Sequence, residues 1–363
     1  MKAAVLHAPG QPLVVEDVEL AEPCAGEILV RLVATGVCHT DLSSARGGKL
    51  GSLPVVLGHE GAGVVERVGP LVAGVAPGDR VILAAVPRCG TCAACIAGRP
   101  FLCQKAAAGM YGGGLFDGST RLSLRGEPVY HFFKQSSFAE RAVVPEGAAV
   151  RVAGDVPLDK VAVLACGVST GLGAVFNAAH VEVGDSVAII GCGGVGLGGL
   201  VAAGLSQASP VVAIDVSDEK LEMARSLGVT CTVNAAQDDA VEQVRRLTGG
   251  GVDHAFEFVG NPATVAQAVE MLAVGGHAYV IGGSPPGARF AIPADGFLGD
   301  KHLHGVTLGC VRAQIDIPRY VDLYLSGKLP LDHMVTRQYP LEQVNEALQD
   351  LESGTGRGVI SFA

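Results

Sequence analysis

The stretch from Val187 to Asp215 is the part of the sequence that most restricts what the chain can fold into. It starts with Val187–Ile190, a short apolar run typical of a strand buried on both faces of a sheet. A glycine-rich turn leads into a helical segment, and a second apolar run ends at Asp215. This order of elements, with an acid about 20 residues after the turn, is typical of a dinucleotide-binding unit. The alternative is an ordinary βαβ crossover without a ligand, which the acid disfavours.

The residues of this turn have separate predicted tasks. The turn reads Gly191, Cys192, Gly193, Gly194, Val195 and Gly196. Gly191 permits the tight turn, and Gly193 lets a pyrophosphate approach the helix N-terminus, where free N–H groups favour an anion. Asp215 is placed to accept hydrogen bonds from the adenosine ribose, and its charge would repel a 2′-phosphate. The sequence therefore predicts binding of NAD in preference to NADP.

Length and pattern predict two domains. The chain has 363 residues, of which 49% are hydrophobic and 17% charged, so it can bury a large core. Six strands alternating with helices predict an α/β domain with a doubly wound parallel Rossmann sheet over residues 168–308. The flanking residues, 1–167 and 309–363, are predicted to form a β-rich domain, to which a last strand, Gly358–Phe362, returns. Residues 104–135 are glycine-rich and polar, and we expect a long ordered loop there.

The charge balance restricts the class of partner. There are 26 basic and 36 acidic residues, a net charge of −10, and no basic run. This argues against nucleic acid or an anionic membrane as a partner. No apolar stretch suggests a transmembrane span or a signal peptide. Together with the cysteines, which suit a reducing compartment, these features predict a cytoplasmic location.

Four of the ten cysteines are spaced as zinc ligands. They are Cys89, Cys92, Cys95 and Cys103. Thiols with two-residue gaps suit tetrahedral zinc held entirely by thiolates, a closed site that is structural and does no chemistry. The alternative is a loop with unrelated free cysteines. Four others are predicted to be small buried thiols: Cys24, Cys192, Cys231 and Cys310.

Two further motifs accompany the cysteine lobe and the glycine turn. Residues Gly58 to Val72 read G-H-E-x2-G-x5-G-x2-V, and Cys166 to Gly171 read C-G-V-S-T-G. With these motifs, the sequence resembles the zinc-dependent alcohol dehydrogenases of the medium-chain dehydrogenase/reductase family over essentially its full length. The resemblance implies a GroES-like catalytic domain beside the Rossmann domain. It also implies two zinc ions per chain and NAD-dependent interconversion of an alcohol and its aldehyde or ketone.

The resemblance assigns the catalytic zinc to Cys38, His59 and Cys166. Two thiolates and an imidazole with an open fourth position suit a Lewis acid. Taken separately, the three residues would more often be a core histidine and two inert thiols. Their positions in separate matching motifs reverse that reading.

Residues next to these ligands receive supporting roles. Thr40 matches the hydroxyl residue that bonds the substrate oxygen and passes on its proton, with a helix cap as the alternative. Asp41 matches the carboxylate that orients the histidine ligand. Glu60 matches an acidic residue beside the metal.

Further residues are implied in cofactor binding. Thr170 and Val195 would pack on the nicotinamide. The basic side chains that would neutralise phosphates and ribose edges are His39, Lys220 and Arg357. A surface histidine is the alternative for His39. His302 and His304 match no family role and are expected to be loop or core histidines.

Two departures from the family pattern bear on activity. Ser43 stands where many relatives have a histidine that releases the proton, so we expect proton release through water and a shallow pH dependence. Ala85 stands where relatives often have an aromatic residue that narrows the substrate pocket. A bulky primary alcohol, aryl or allylic, is therefore the expected substrate class.

Two rival functions and the assembly state complete the expectations. A thiol-adduct formaldehyde dehydrogenase of the glutathione type is disfavoured, because the acid and arginine that grip the adduct are replaced by Lys49 and Ala107. A non-catalytic nucleotide-binding member is disfavoured, because such members commonly lose the zinc ligands. The family pairs subunits through edge strands of the coenzyme domains, which predicts a homodimer, with a tetramer as the alternative.

Overall fold

The structure is a computed structural model that describes residues 1–354 and 356–362, and these form two compact units. The first unit contains Met1–Cys166 and Arg312–Ala363, and the second contains Gly167–Val311. The sequence places these boundaries after residues 167 and 308, whereas the structure places them after Cys166 and Val311.

The strands are β1 Lys2–Leu6, β2 Val14–Asp17, β3 Glu19–Leu20, β4 Glu27–Gly36, β5 Val55–Val56, β6 Glu60–Val68, β7 Arg80–Leu83, β8 Tyr111–Gly113, β9 Leu122–Leu124, β10 Glu127–Phe132, β11 Arg141–Pro145, β12 Ala149–Arg151, β13 Val187–Ile190, β14 Val211–Asp215, β15 Cys231–Asn234, β16 Val252–Glu257, β17 Leu272–Val280, β18 His302–Gly305, β19 Val335–Tyr339 and β20 Arg357–Ser361. The α-helices are α1 His39–Ala45, α2 Ala93–Ile96, α3 Gln104–Ala107, α4 Leu158–Val161, α5 Gly167–Gly173, α6 Gly194–Leu205, α7 Asp218–Ser226, α8 Ala240–Thr248, α9 Pro262–Glu270, α10 Ala313–Leu325, α11 Leu331–Met334 and α12 Val344–Ser353.

The second unit contains the doubly wound sheet that the sequence predicts. Its strands lie in the order β15-β14-β13-β16-β17-β18, and every adjacent pair is parallel. All four residues of β13 are buried, as expected for a strand with helices on both faces. Side chains of Ser217, Asp239 and Asn261 accept backbone N–H groups at the starts of α7, α8 and α9. The strand order reverses beside β13, where the carboxyl ends of the strands form the expected ligand edge.

The first unit is built from two mainly antiparallel sheets. One has the order β2-β1-β5-β10-β9-β3, with β8 also paired to β10. The other has the order β12-β7-β6-β4-β20-β19, with β11 also paired to β4. Strand β20 runs antiparallel to β4, which confirms that the last strand returns to the first domain. The last residue of β4 and the first residue of β6, the two central strands of this sheet, lie next to candidate metal ligands.

The prediction of a long loop over residues 104–135 is wrong. This segment contains α3 and the strands β8, β9 and β10. Both β8 and β9 are only three residues long, and β8 contains two glycines. Such strands are stabilised by their pairing partners rather than by local propensity, so periodicity does not reveal them.

The described residues include no single helix that is long and apolar enough to cross a membrane. Two consecutive apolar segments, Leu158–Ala165 and Gly167–Ala179, reach the necessary length only together, across a bend. Most of their residues are buried.

Candidate metal and cofactor sites

Cys38, His59 and Cys166 come together at the ends of β4 and β6. Cys38 is the N-cap of α1, two residues after β4, and His59 immediately precedes β6. The antiparallel pairing of β4 with β6 therefore places them side by side. Cys166 follows a short 3₁₀ segment that packs on β6. One ligand atom from each lies within 4.8 Å of the others, as does a carboxylate oxygen of Glu60.

Asp41 ties the two ligand-bearing segments together. One of its carboxylate oxygens accepts the backbone N–H of Cys38 at 3.1 Å. The other lies 3.0 Å from His59 Nδ1 and accepts the backbone N–H of Gly58 at 3.1 Å. Because a carboxylate accepts, Nδ1 carries the proton and the lone pair of Nε2 points the other way. Asp41 and His59 are both fully buried, so this contact sets the ring orientation.

The donor set fits a zinc ion. Within the described residues, His59 Nε2 is buried and has no hydrogen-bond partner. A buried polar atom without a partner is costly, and an ion beside it would remove that cost. The hydrogen bond with the Cys166 thiol lowers the pKa of Cys38 well below its ordinary value, which favours the thiolate. Two sulfurs and one imidazole nitrogen form a set of three protein ligands that suits catalytic zinc.

Arg357 has a protein partner in the structure. Its guanidinium forms a buried ion pair with Glu60. Burial raises the pKa of Glu60 while the charge of Arg357 opposes this, as in a paired buried acid. A Cβ atom on Gly36 would lie 1.9 Å from Glu60 Oε2, so only glycine leaves room for this carboxylate. Contact of Arg357 with the cofactor stays a prediction.

An aromatic cluster that the sequence analysis missed surrounds His59. Phe133 stacks on the His59 ring with centroids 4.4 Å apart, and Phe132 meets it edge-on at 5.7 Å. Tyr111 lies edge-on to Phe133 at 5.3 Å. The run Tyr130 to Phe133 has three aromatic residues in four, and this sequence signal could have predicted the cluster.

The segment that presents Phe133 is strained and held by a buried lysine. Phe133 and Lys134 have φ of 52° and 54°, in the left-handed region that non-glycine residues rarely adopt. Lys134 is 2% exposed, and its amine donates to the carbonyls of Ala108 and Gly114 at 2.6 and 2.9 Å. These bonds hold the backbone in place, as required where a strained residue lies at a functional site.

The remaining predicted residues of this region differ in exposure. Thr40 is half-buried in the first turn of α1, whose cap is Cys38, so the helix-cap alternative for Thr40 is wrong. His39 and Ser43, on the same helix, are exposed. Ala85 is buried, and its N–H donates to the carbonyl of Ala165, the residue before Cys166.

The four-cysteine lobe also has the geometry of a zinc site. One ligand atom from each of its cysteines lies within 4.8 Å of the others, and two Sγ pairs are 4.0 Å apart. Zinc–sulfur bonds of 2.3 Å at tetrahedral angles require about 3.8 Å between sulfurs. Burial opposes ionisation of Cys89, but N–H groups of Thr91 and Cys92 outweigh it and lower the pKa of Cys89 to about 6. A thiolate is thus available as ligand.

The remaining cysteines depart in part from the expectation of small buried thiols. Cys192 is buried, but Cys24 is exposed, and Cys231 and Cys310 are half-buried. Cys24 lies before the turn that leads into β4, where its N–H donates to Glu27.

The glycine turn joins β13 to α6 in the second unit. Gly191 has φ of 94°, and a Cβ on Gly196 would lie 1.8 Å from the Gly191 carbonyl oxygen, so both positions require glycine. No described atom lies within 4 Å of a Cβ built on Gly193, which leaves open space at the start of α6. Asp215 accepts the N–H of Cys192 at 2.8 Å. The acid therefore lies against the turn, as a ribose-binding carboxylate would.

Other predicted cofactor residues also lie in the second unit. Thr170 is buried in α5, and Val195 is half-buried in the first turn of α6, as is Gly194. Lys220 is half-buried in the first turn of α7, and its N–H donates to the capping Ser217.

Family models match both units. Residues 24–154 match the alcohol dehydrogenase GroES-like domain, and residues 194–326 match the zinc-binding dehydrogenase domain. An alcohol dehydrogenase class-3 of Myxine glutinosa is 40% identical over 97% of this chain and 95% of its own length. An S-(hydroxymethyl)glutathione dehydrogenase of Paracoccus denitrificans is 37% identical over 99% of both chains.

A solved structure agrees with these matches. Benzyl alcohol dehydrogenase of Acinetobacter calcoaceticus superimposes with a TM-score of 0.95 at 36% identity, covering 100% of this chain and 99% of its own. The agreement extends over both units. The chain therefore belongs to the zinc-dependent alcohol dehydrogenases of the medium-chain dehydrogenase/reductase family.

Proposed function

We propose that the chain interconverts a bulky primary alcohol, aryl or allylic, and its aldehyde by hydride transfer to and from NAD. The observation that carries this proposal is the convergence of Cys38, His59 and Cys166, whose ligand atoms lie within 4.8 Å of one another. Among the described residues, the buried His59 Nε2 has no geometrically defined hydrogen-bond partner. The test is to follow the nicotinamide absorbance with a panel of alcohols and to measure bound metal. We expect NAD reduction with benzyl alcohol and two zinc ions per chain. No turnover with any alcohol and zinc in the lobe alone would support the non-catalytic alternative.

Zinc and NAD are the cofactors of this chain. Cys38, His59 and Cys166 would hold the zinc ion, which would act as a Lewis acid and lower the pKa of a substrate hydroxyl toward neutral pH. Asp41 orients the His59 ring so that Nε2 faces the predicted zinc position, and the stacked ring of Phe133 excludes water from one face of the imidazole. Thr40 is proposed to hydrogen-bond the substrate hydroxyl and to accept its proton while its own hydroxyl proton passes on to water.

Proton release past Ser43 should be visible in the pH dependence. Ser43 is exposed and cannot titrate in the working range, so the rate should change little with pH. In Ser43→His, kcat/KM for benzyl alcohol is expected to fall about tenfold for each pH unit below about pH 6.5, because the added histidine becomes protonated there. Ser326→His, at an exposed helix end, serves as the control. A wild-type profile already controlled by one group near about pH 6.5 to 7 would contradict the water route.

The small side chain of Ala85 supports the preference for a bulky substrate. Ala85 is 2% exposed and packs in the same cluster as Phe133 and Tyr111. Its backbone N–H donates to the carbonyl of Ala165, which immediately precedes the predicted zinc ligand Cys166. The aromatic rings around His59 offer a surface for an aryl group. The likeness to a benzyl alcohol dehydrogenase agrees with this.

Ala85→Phe should therefore change the choice of substrate. We expect the ratio of kcat/KM for benzyl alcohol to that for ethanol to fall by about tenfold to a hundredfold, because a ring occupies the space of the aryl group. Ala85→Ser keeps the volume small and should leave the ratio within about twofold. Equal wild-type kcat/KM for ethanol and benzyl alcohol would remove the argument from Ala85.

The carboxylate of Asp215 supports the choice of NAD. We expect Asp215→Asn to raise kcat/KM for NADP relative to NAD by about tenfold to a hundredfold, because a negative charge beside the 2′-phosphate is removed. Asp238→Asn removes an exposed acid of the same unit and should leave the ratio unchanged. A wild-type enzyme that uses NADP as well as NAD would show that Asp215 does not discriminate.

The second candidate is S-(hydroxymethyl)glutathione oxidation, which the name of the Paracoccus relative favours. Lys49 and Ala107 replace the expected acid and arginine, and Lys49 Nζ lies 5.8 Å from the Tyr111 ring centroid. Comparing formaldehyde plus glutathione with benzyl alcohol on one preparation distinguishes the candidates. A higher kcat/KM for the adduct would replace the first proposal by the second.

The assembly state is part of the proposal. A homodimer joined at edge strands of the nucleotide-binding sheets is expected, and β18 is an edge strand of that sheet. Sedimentation equilibrium distinguishes this dimer from a tetramer.

A further inference from the structure

Three histidines lie together on one face of the nucleotide-binding sheet, in the second unit. His277 is on β17, and His302 is its direct partner on the edge strand β18. His304 lies two residues further along β18, so it shares the face of His302. The cluster is formed by residues of two strands and shares no residue with the glycine turn or with either cysteine site.

The cluster brings imidazole nitrogens within reach of one another. His277 Nδ1 and His304 Nε2 are 2.9 Å apart. The ring of His277 stacks on those of His302 and His304, with centroids 4.5 and 5.2 Å apart. One nitrogen from each of the three rings lies within 4.8 Å of the others. Two nitrogens bound to one tetrahedral zinc are about 3.3 Å apart, so modest ring rotations bring all three into position.

The surroundings of His277 and His304 favour the neutral form of these two rings. Burial and the neighbouring histidines lower the pKa of His277, and burial and His302 lower that of His304. A neutral imidazole has the lone pair that a metal requires. In the single chain the side chain of His302 is 43% exposed, so an ion can reach the cluster from solvent on that side. Asp300 lies 3.4 Å from His302 Nε2 and adds a negative charge that favours a cation.

A fourth histidine lies on the same face of the sheet, but both of its ring nitrogens have other partners. His254 on β16 pairs with His277, but its Nε2 contacts Asp185 at 3.2 Å and its Nδ1 lies 3.4 Å from the Tyr279 hydroxyl. Both nitrogens are thus engaged, and the ligand set is limited to three rings. Three imidazoles with one open position suit zinc and neighbouring transition metals, whereas magnesium and calcium prefer oxygen.

We propose that His277, His302 and His304 form a third metal site, which binds zinc or another transition-metal ion that prefers imidazole. The ion crosslinks the outermost strand β18 to its neighbour β17. Since it binds the folded sheet only, it stabilises the nucleotide-binding unit by an amount that rises with the logarithm of the ion concentration above the Kd. The site takes no part in hydride transfer and is independent of the proposed substrate.

Zinc titration of the enzyme that already holds two zinc ions per chain tests the proposal. Isothermal titration calorimetry with zinc chloride, with metal analysis after gel filtration, is expected to show one further ion per chain. His302→Gln and His304→Gln should each weaken this binding by more than ~10-fold, since each removes one of three ligands. His333→Gln, at an exposed helical histidine outside the cluster, should bind the third ion as wild type does.

Two further readouts separate loss of the site from loss of the fold. The cluster variants should keep the kcat of wild type with benzyl alcohol, and the zinc-dependent rise in Tm should disappear. Copper(II) added to wild type should give an electron paramagnetic resonance spectrum with couplings to imidazole nitrogen, reduced in both variants. A wild-type protein that binds no more than two zinc ions, or variants that bind the third as tightly as wild type, would overturn the proposal.

Discussion

Replacing His59 with alanine is expected to lower kcat/KM for benzyl alcohol by about 10³-fold or more, and to reduce bound zinc from two ions per chain to one. The imidazole is fully buried, and its Nε2 has no hydrogen-bond partner among the described residues. Lewis-acid stabilisation is worth several kcal/mol, and about 4 kcal/mol corresponds to three powers of ten in rate. Initial rates and metal analysis on the same preparation measure both effects.

Cysteine variants provide the matched comparison. Cys38→Ser should reproduce the loss of one zinc ion and most of the activity, because a serine hydroxyl is a far poorer zinc ligand than a thiolate. Cys24→Ser changes an exposed thiol outside both clusters and should leave zinc content and kcat unchanged. Near wild-type turnover by His59→Ala with one zinc ion would disprove the assignment of the catalytic site.

Local sequence patterns were sufficient to predict the nucleotide-binding unit. The run Val187–Ile190 is buried on both faces, so it is continuously apolar, and the glycines that follow meet steric limits within the turn itself. Asp215 contacts the backbone of that same turn. Each of these features depends on neighbours in one βαβ unit. Short windows of sequence are therefore sufficient to predict them.

The catalytic metal set required more than local patterns. Cys38, His59 and Cys166 are brought together by the pairing of β4 with β6 and by the packing of a 3₁₀ segment on β6. No spacing rule predicts that three such distant residues meet. The family motifs supplied the prediction, and the common contact of Asp41 with both segments gives its physical reason.

The parts that the sequence analysis missed depend on long-range partners. The ion pair of Glu60 with Arg357 joins residues that are 297 positions apart in the sequence. The positive charge of Arg357 alone does not indicate whether its partner is a buried acid or a cofactor phosphate. Tyr111 and Phe133 reach His59 from the segment predicted as a loop. Its short strands were invisible to periodicity, although the aromatic run was a usable signal. The histidine cluster likewise depends on the register of β17 with β18.

Removing a thiol from the cysteine lobe should destabilise the protein more than it affects the chemistry. Between residues 88 and 110, the described side chains include only two that are buried, Cys103 and Ala106. Ile96 is 75% exposed, so this segment has almost no apolar core of its own. Its order must therefore come mainly from the metal, and loss of a structural metal is among the most destabilising single changes.

We expect Cys103→Ser to lose the lobe zinc and to lower Tm by roughly 6–12 °C, which corresponds to ~3 kcal/mol for a unit of this size. At low temperature the folded variant should keep a kcat within about threefold of wild type, because a site with four thiolates has no open position for substrate. Scanning calorimetry, metal analysis and initial rates provide the three measurements. Cys231→Ser, at a half-buried thiol on β15, is the control and should retain two zinc ions. If Cys103→Ser lost its zinc without a fall in Tm, the lobe would be stable without metal, and its ion would need a role other than structural.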